Sequence, residues 1–196
     1  DSHTGKIVAA SQRPTFDAQT KEGLTNVWRN TLLEDAYEPG STMKVLTVAS
    51  AINSGNYDSN ATYRSGSYVI DGSTVYDWNR SGWGNITVKE GFMRSSNAVM
   101  AQLEQKMGKK TWMNYIRKFG LLRPVGAGLG AESSGNINYT YAFDQANTAY
   151  GQGIDVTVIQ MMQAFSAIAN KGKMVKPRLV DKIVDPNTGK TVYKSK

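Results

Sequence analysis

The sequence has no cysteine and a single histidine among its 196 residues. A disulfide framework, a thiol nucleophile and a zinc site built from thiolates or clustered imidazoles are excluded, whatever compartment the chain occupies. His3 lies at the third position, with no scaffold in view to orient it as a base, and is expected to be exposed to solvent. Long apolar runs are missing too. The most apolar helical stretch, Val45 to Ile52, is interrupted by Thr47 and Ser50, so neither a membrane span nor a signal peptide is read from the sequence. Runs of five or six like charges do not occur, although 23 Lys and Arg against 16 Asp and Glu leave a net charge of +7. Such a balance favours anionic partners, but the basic residues are scattered among Ser, Gly and Asn. No nucleic acid is expected as a partner, and a basic polyanion-binding module remains the plainest rival reading.

What is there is 40% hydrophobic and 20% charged, enough for one domain with a real core and too apolar for a disordered or collagen-like chain. Ile7 to Ala10 reads as a short buried strand ended by Arg13-Pro14, and polar loop is expected from there to about Tyr37. Glu38-Pro39-Gly40 then breaks the chain before a helix from about Ser41 to Ser54, with Val45, Val48, Ala49 and Ile52 at helical spacing. Asn56 to Asn85 turns to Ser, Gly, Asn, Asp and Tyr, the composition of an irregular or short-stranded surface segment. Thr87 and Glu90 have capping-box spacing for a short helix reaching Arg94, Ala98 to Met107 resumes helically, and Lys110 to Phe119 forms an amphipathic helix. Arg123 to Tyr141 is loop, Gly151-Gln152-Gly153 a tight turn, and Val158, Met161, Met162, Phe165 and Ile168 mark a last buried helix. Lys176 to Tyr193 reads as a strand, a turn at Asp185 to Gly189 and the start of a second strand. Because the chain opens at Asp1 and stops inside that hairpin, it is expected to be cut from something longer, with a sheet left incomplete.

Ser41-Thr42-Met43-Lys44 carries the chemistry. Residues three apart on a helix share a face, so the spacing sets an ammonium beside a hydroxyl. A lysine in a dry pocket can lose its proton and serve as the base that serine needs, while the helix N-terminus turns its positive dipole end toward an anionic intermediate. The chemistry implied is acyl transfer through a serine ester. With 16 serines and 15 lysines, chance alone supplies about one such spacing, and context raises it: the break at 38–40 delivers Ser41 to the first turn of an apolar helix. A Ser-x-Asn element is the expected partner, and three occur. Ser54-Gly55-Asn56 ends the helix that Ser41 begins and lies about 20 Å away. Ser134-Gly135-Asn136 falls in flexible loop and stays a runner-up. Ser95-Ser96-Asn97 lies between two helices that can aim both side chains, and is preferred.

Tyr37-Glu38-Pro39-Gly40-Ser41-Thr42-Met43-Lys44, Arg94-Ser95-Ser96-Asn97 and Gly151-Gln152-Gly153-Ile154-Asp155-Val156-Thr157 together resemble the transpeptidase domain of class B penicillin-binding proteins, especially the Gram-positive cell-division type. The resemblance runs from the opening Thr-Gly-Lys segment to Lys176-Pro177-Arg178. It implies an α+β (α/β) fold of the penicillin-binding-protein and serine β-lactamase type, an antiparallel sheet between helical layers. Residues 1–196 would be the N-terminal part of a single transpeptidase domain. Carried over, Ser41 becomes the acylated nucleophile, Lys44 its base, Ser95 a proton relay and Asn97 a ligand of the substrate amide. Trp78, within Tyr76-Asp77-Trp78-Asn79, matches a groove-lining aromatic. Gly151-Gln152-Gly153 is read as a structural turn.

The implied function is peptidoglycan D,D-transpeptidation. Ser41 would attack the D-Ala-D-Ala bond of a stem peptide, an amine of a neighbouring strand would resolve the ester, and β-lactams would acylate the same serine. No cofactor or metal is implied. Location would be the extracellular face of the cytoplasmic membrane, through an N-terminal anchor outside this chain. The family's third motif, Lys-Ser/Thr-Gly on a strand edging the cleft, is absent; Thr188-Gly189-Lys190-Thr191 and Lys194-Ser195-Lys196 do not match it. The missing strands are expected from the same domain or from a neighbouring chain. Rivals that share the nucleophile are a serine β-lactamase, a D,D-carboxypeptidase and a non-catalytic penicillin-sensing or scaffolding domain.

Overall fold

The computed structural model describes residues 1–128 and 130–194. Helix α1 (Thr31–Glu34) precedes strand β1 (Ala36–Tyr37), and a 3-10 turn at Gly40–Thr42 leads into α2 (Met43–Asn53). Strands β2 (Thr62–Arg64), β3 (Ser67–Ile70), β4 (Ser73–Tyr76) and β5 (Asn85–Thr87) follow, then α3 (Val88–Met93), α4 (Asn97–Met107) and α5 (Lys109–Lys118). Strand β6 (Asn136–Ile137), α6 (Ala142–Thr148), β7 (Ile154–Thr157), α7 (Val158–Ala169), β8 (Lys182–Val184) and β9 (Thr191–Lys194) complete the order. The sheets are small and antiparallel: β1-β7-β6, β2 with β5, the β3–β4 hairpin and the β8–β9 hairpin.

α4 is the hub, packed on α2, α3, α5, α6 and the β3–β4 hairpin. Met100 and Leu103 of α4 lie with Met43 and Leu46 of α2 and Trp112 and Ile116 of α5, all shut off from solvent. Each such side chain is worth about 1.5–3 kcal/mol of burial. Most polar groups that enter this core find partners: the Trp112 indole N–H donates to Thr148 Oγ1 at 2.7 Å and the Thr47 hydroxyl to the Ala149 carbonyl at 2.7 Å, whereas Glu104 Oε1 on α4 is buried without one.

That rule corrects the expected face of α2. Thr47 and Ser50, read as interruptions, are fully buried because their hydroxyls reach backbone carbonyls, whereas Ile52 is 57% exposed. On α7, likewise, Met161 is buried, but Met162 and Ile168 point outward. Ile7 to Ala10 forms no strand: the segment makes a single bridge, Lys6 to Arg178, and Val8 is 82% exposed. With no strand to pair with, it lies over α7 and roofs an apolar cavity of about 470 Å³ bordered by Leu32, Ile159, Met162 and Phe165. The polar loop before Tyr37 contains α1 and β1, and α6 arises between the expected loop and the expected Gly151-Gln152-Gly153 turn, where no element had been read. The terminal hairpin starts later, at Lys182, around the anticipated turn at Asp185, whose carboxylate accepts from the Asn187 N–H at 2.8 Å. Its Lys194-Ser195-Lys196 end lies in part outside the described residues.

Candidate active site

Ser41 occupies the middle of the 3-10 turn that opens α2, and Thr42 closes that turn by donating its hydroxyl to the Pro39 carbonyl at 2.6 Å. The hydroxyl of Ser41 is therefore presented at the positive end of the helix, on an exposed residue. Lys44 follows one turn later and is only 2% exposed. Its ammonium is held from across the cleft by the turn that joins α3 to α4.

That turn is built from capping rules. Thr87 caps α3 by accepting from the Glu90 N–H, the spacing read from the sequence, although the Glu90 carboxylate goes to Arg94 instead of closing a reciprocal box. At the other end the Ser96 N–H donates to Gly91 O at 2.9 Å and the Ser95 N–H to Phe92 O at 3.0 Å, a Schellman closure. Such a closure needs a left-handed residue, usually glycine; here it is Ser95, at φ +57°. A side chain in that region costs about 1 kcal/mol, which a serine retained there must offset by something its hydroxyl does. Ser96 then caps α4, accepting from the Val99 N–H at 3.1 Å.

The Ser95 hydroxyl stands between the two members of the first motif. It lies 3.1 Å from Ser41 Oγ, and Lys44 Nζ donates to it at 3.0 Å. Lys44 Nζ also donates to the Ser95 carbonyl at 2.6 Å and to Asn97 Oδ1 at 2.7 Å. Among the described residues no hydrogen bond joins Lys44 directly to Ser41, so the expected pair is a three-membered chain with Ser95 in the middle. Burial pulls the Lys44 ammonium down to about 8, opposed by the negative charge of Asp77. Asn97 turns its amide N–H to Tyr76 O at 2.9 Å, which fixes its carbonyl oxygen toward the lysine. Of the competing elements, Ser134-Gly135-Asn136 is committed elsewhere and is not flexible loop: Asn136 pairs with Asp155 in the sheet, and Ser134 O accepts from Gln160.

Trp78 stands beside this group, 73% exposed, with its indole N–H donated to Arg94 O at 3.0 Å and its ring edge-on to Trp83 at 5.5 Å. It is an open aromatic face on a fixed ring. The Gly151-Gln152-Gly153 turn lies behind the nucleophile, with Gly40 N–H donating to Gly151 O at 3.0 Å and Gly153 N–H to Glu38 Oε1 at 2.7 Å. Asp77, a carboxylate with no spacing signature, escaped the sequence reading; it is 2% exposed and bonded on both oxygens.

A helix-terminal serine, a buried lysine of lowered basicity and a Ser-x-Asn turn are joined by one hydrogen-bonded chain on an α+β scaffold, an arrangement with the chemical means for acyl transfer through a serine ester. The sequence model of the family described as penicillin binding protein transpeptidase domain matches residues 1–196, and the chain belongs to that family. It is 34% identical to the stage V sporulation protein D of Bacillus subtilis over 97% of this chain and 30% of that protein, and 32% identical to PbpB of Mycobacterium tuberculosis over 97% and 29%. The crystal structure of penicillin binding protein 2X from Streptococcus thermophilus superposes with a TM-score of 0.89 at 39% identity, covering 97% of this chain and 29% of that one. Penicillin binding protein 3 of Mycobacterium tuberculosis in complex with ampicillin gives 0.84 at 29% identity, covering all of this chain and 44% of that one. The chain thus spans about 30% of the length of the curated relatives it matches.

Proposed function

We propose that the protein is a peptidoglycan D,D-transpeptidase in which Ser41, Lys44, Ser95 and Asn97 carry the chemistry. The supporting observation is the chain from Ser41 Oγ through Ser95 Oγ to Lys44 Nζ. In the neutral form Lys44 accepts, through Ser95, the proton of the Ser41 hydroxyl as Ser41 Oγ bonds to the penultimate D-Ala carbonyl carbon of a stem peptide. The tetrahedral intermediate collapses, the C–N bond breaks, and the departing D-Ala amine takes the proton back along the same chain. An amine of a second stem peptide then attacks the ester, gives its proton to the relay, and returns Ser41 to its hydroxyl. In this reading Asn97 is the ligand of the substrate amide and the exposed Trp78 ring lines the groove.

In this reading residues 1–196 are the N-terminal part of one transpeptidase domain, working at the outer face of the cytoplasmic membrane through an anchor outside these residues. Among the described residues no helix is long and apolar enough to cross a membrane. β-Lactams act as substrate mimics that acylate Ser41, and substitutions that slow this acylation while sparing transfer give antibiotic resistance. Relatives point the same way: one solved structure of this fold holds aztreonam and another ampicillin.

The test is covalent. A fluorescent penicillin is expected to label the full-length protein on Ser41, and Ser41→Ala to take no label while keeping its circular dichroism spectrum. An adduct mapped by mass spectrometry to another residue overturns the assignment; rapid hydrolytic loss of the label would make the protein a β-lactamase instead.

A further inference from the structure

Asp77 lies at the end of β4, outside both motifs, yet its carboxylate is the point at which three segments meet. Oδ1 accepts from the Ser96 hydroxyl at 2.8 Å and from the Ala98 N–H at 3.0 Å, and Oδ2 accepts from the Gly66 N–H at 2.8 Å. The Asp77 N–H donates in turn to Gly66 O at 3.0 Å, so the residue is tied to the stretch before β3 by main chain and side chain together. At Gly66 φ is +102°, and a β-carbon there would meet the backbone of Gly82 at 3.0 Å and of Arg80 at 3.1 Å, so this close approach needs glycine. A carboxylate closed off from water and saturated with donors is a strong, directional anchor. What it anchors is the Ser95-Ser96-Asn97 turn, whose outer members hold Lys44 Nζ.

We propose that Asp77 is the positioning residue of this site: it locks the Ser95–Asn97 turn against the lysine and supplies a buried negative charge that acts on the lysine. The proposal rests on the transpeptidase reading for its kinetic part only. Among the described residues, Lys44 Nζ has three neutral hydrogen-bond partners and no carboxylate at salt-bridge distance. Asp77 is the charge that opposes the effect of burial on its ammonium. Asp77 shares the surroundings of the Tyr63 phenol on β2, which burial pushes up to about 12, with Glu90 of α3 and Arg94 just after it, and those two pair with each other at 2.8 Å. None of these replaces it.

The experiment compares wild type, Asp77→Asn and Ser96→Ala in the full-length protein by two readouts. One is the rate of labelling by a fluorescent penicillin across the pH range from about 6 to about 10, whose midpoint reports the free base. The other is the titration of Lys44 followed by NMR of isotope-labelled lysine, which needs no substrate. Asp77→Asn is expected to move the Lys44 midpoint downward by about one pH unit, in both readouts, and to lower the plateau rate about 10- to 100-fold. Ser96→Ala keeps the charge and loses one bond, so its midpoint stays while its plateau falls about 10-fold. An unmoved Lys44 titration in Asp77→Asn overturns the proposal. If wild type takes no label on Ser41, the transpeptidase reading falls and the NMR titration still decides the role of Asp77. If Asp77→Asn yields no folded protein, Ser96→Ala decides: labelling at the wild-type rate overturns the proposal.

Discussion

Lys44 is where burial becomes reactivity. The side chain is only 2% exposed, and the same burial brings its ammonium to about 8. Below that value the neutral base is a minority, so acylation should rise about tenfold per pH unit and level off near pH 8. The shift also acts on stability. An unfolded lysine holds its proton to about 10.5 and the folded one releases it near 8, so the unfolded chain binds more protons between those values and stability climbs with pH across that window. Lys44→Arg is expected to lose about 10²- to 10⁴-fold in labelling rate and to show no recovery at high pH, because guanidinium does not deprotonate. Labelling kinetics check both; recovery at alkaline pH would remove lysine from the base role. Ser41 and Lys44 were legible as residues, since a Ser-x-x-Lys placed after a chain break at the head of an apolar helix is informative. The link between them was not, because the bridge through Ser95 depends on a left-handed turn that no spacing rule announces. Asp77 was invisible for the same reason: it is one of 16 acidic residues, distinguished only by where the fold takes it.

At the scale of elements, the α3–turn–α4 unit shows a local rule broken for a reason. A Schellman closure favours glycine at its left-handed position, and this chain uses Ser95. Ser95→Gly is therefore expected to gain about 1 kcal/mol in urea unfolding and to lose acylation about as fully as Ser95→Ala, which keeps the strain and also lacks the hydroxyl. Equal stability of the two variants would show that the turn carries no strain. The readable elements were α3 from Thr87 and Glu90 and α4 after Ser96, each opened by a side-chain cap, and α5, which has none but lies within a residue of its expected span. α1, β1 and α6 are two to seven residues long, too short for a periodic signal, and are held by tertiary neighbours, with Leu33 of α1 packed on Ile159 of α7. α3, at six residues, is as short and was readable because the Thr87 and Glu90 spacing announces its cap.

The whole molecule brings the nucleophile and a distant turn onto one another. Gly40 and Gly151 are joined by backbone hydrogen bonding, Glu38 takes the Gly153 N–H, and Thr47 reaches Ala149 O, so the stretch that presents Ser41 is backed by residues more than a hundred positions later. Reading Gly151-Gln152-Gly153 as a structural turn named its shape; its partner lay beyond any local pattern. Two glycines separate the effects of conformation and contact. Gly72 in the β3–β4 hairpin has φ +81° and open space where a β-carbon would go, while Gly151 has φ +82° and would drive a β-carbon into the Gly40 backbone. Gly72→Ala should cost only the backbone strain, about 1 kcal/mol, and leave labelling unchanged. Gly151→Ala should add an overpacking cost of about 1–3 kcal/mol and, by displacing the Pro39–Ser41 stretch, slow labelling by about 100-fold. Urea unfolding and penicillin labelling on the same preparations measure the two consequences. Should Gly151→Ala match Gly72→Ala in both, the contact behind the nucleophile would be incidental, and the position of Ser41 would have to be set by α2 and α4 alone.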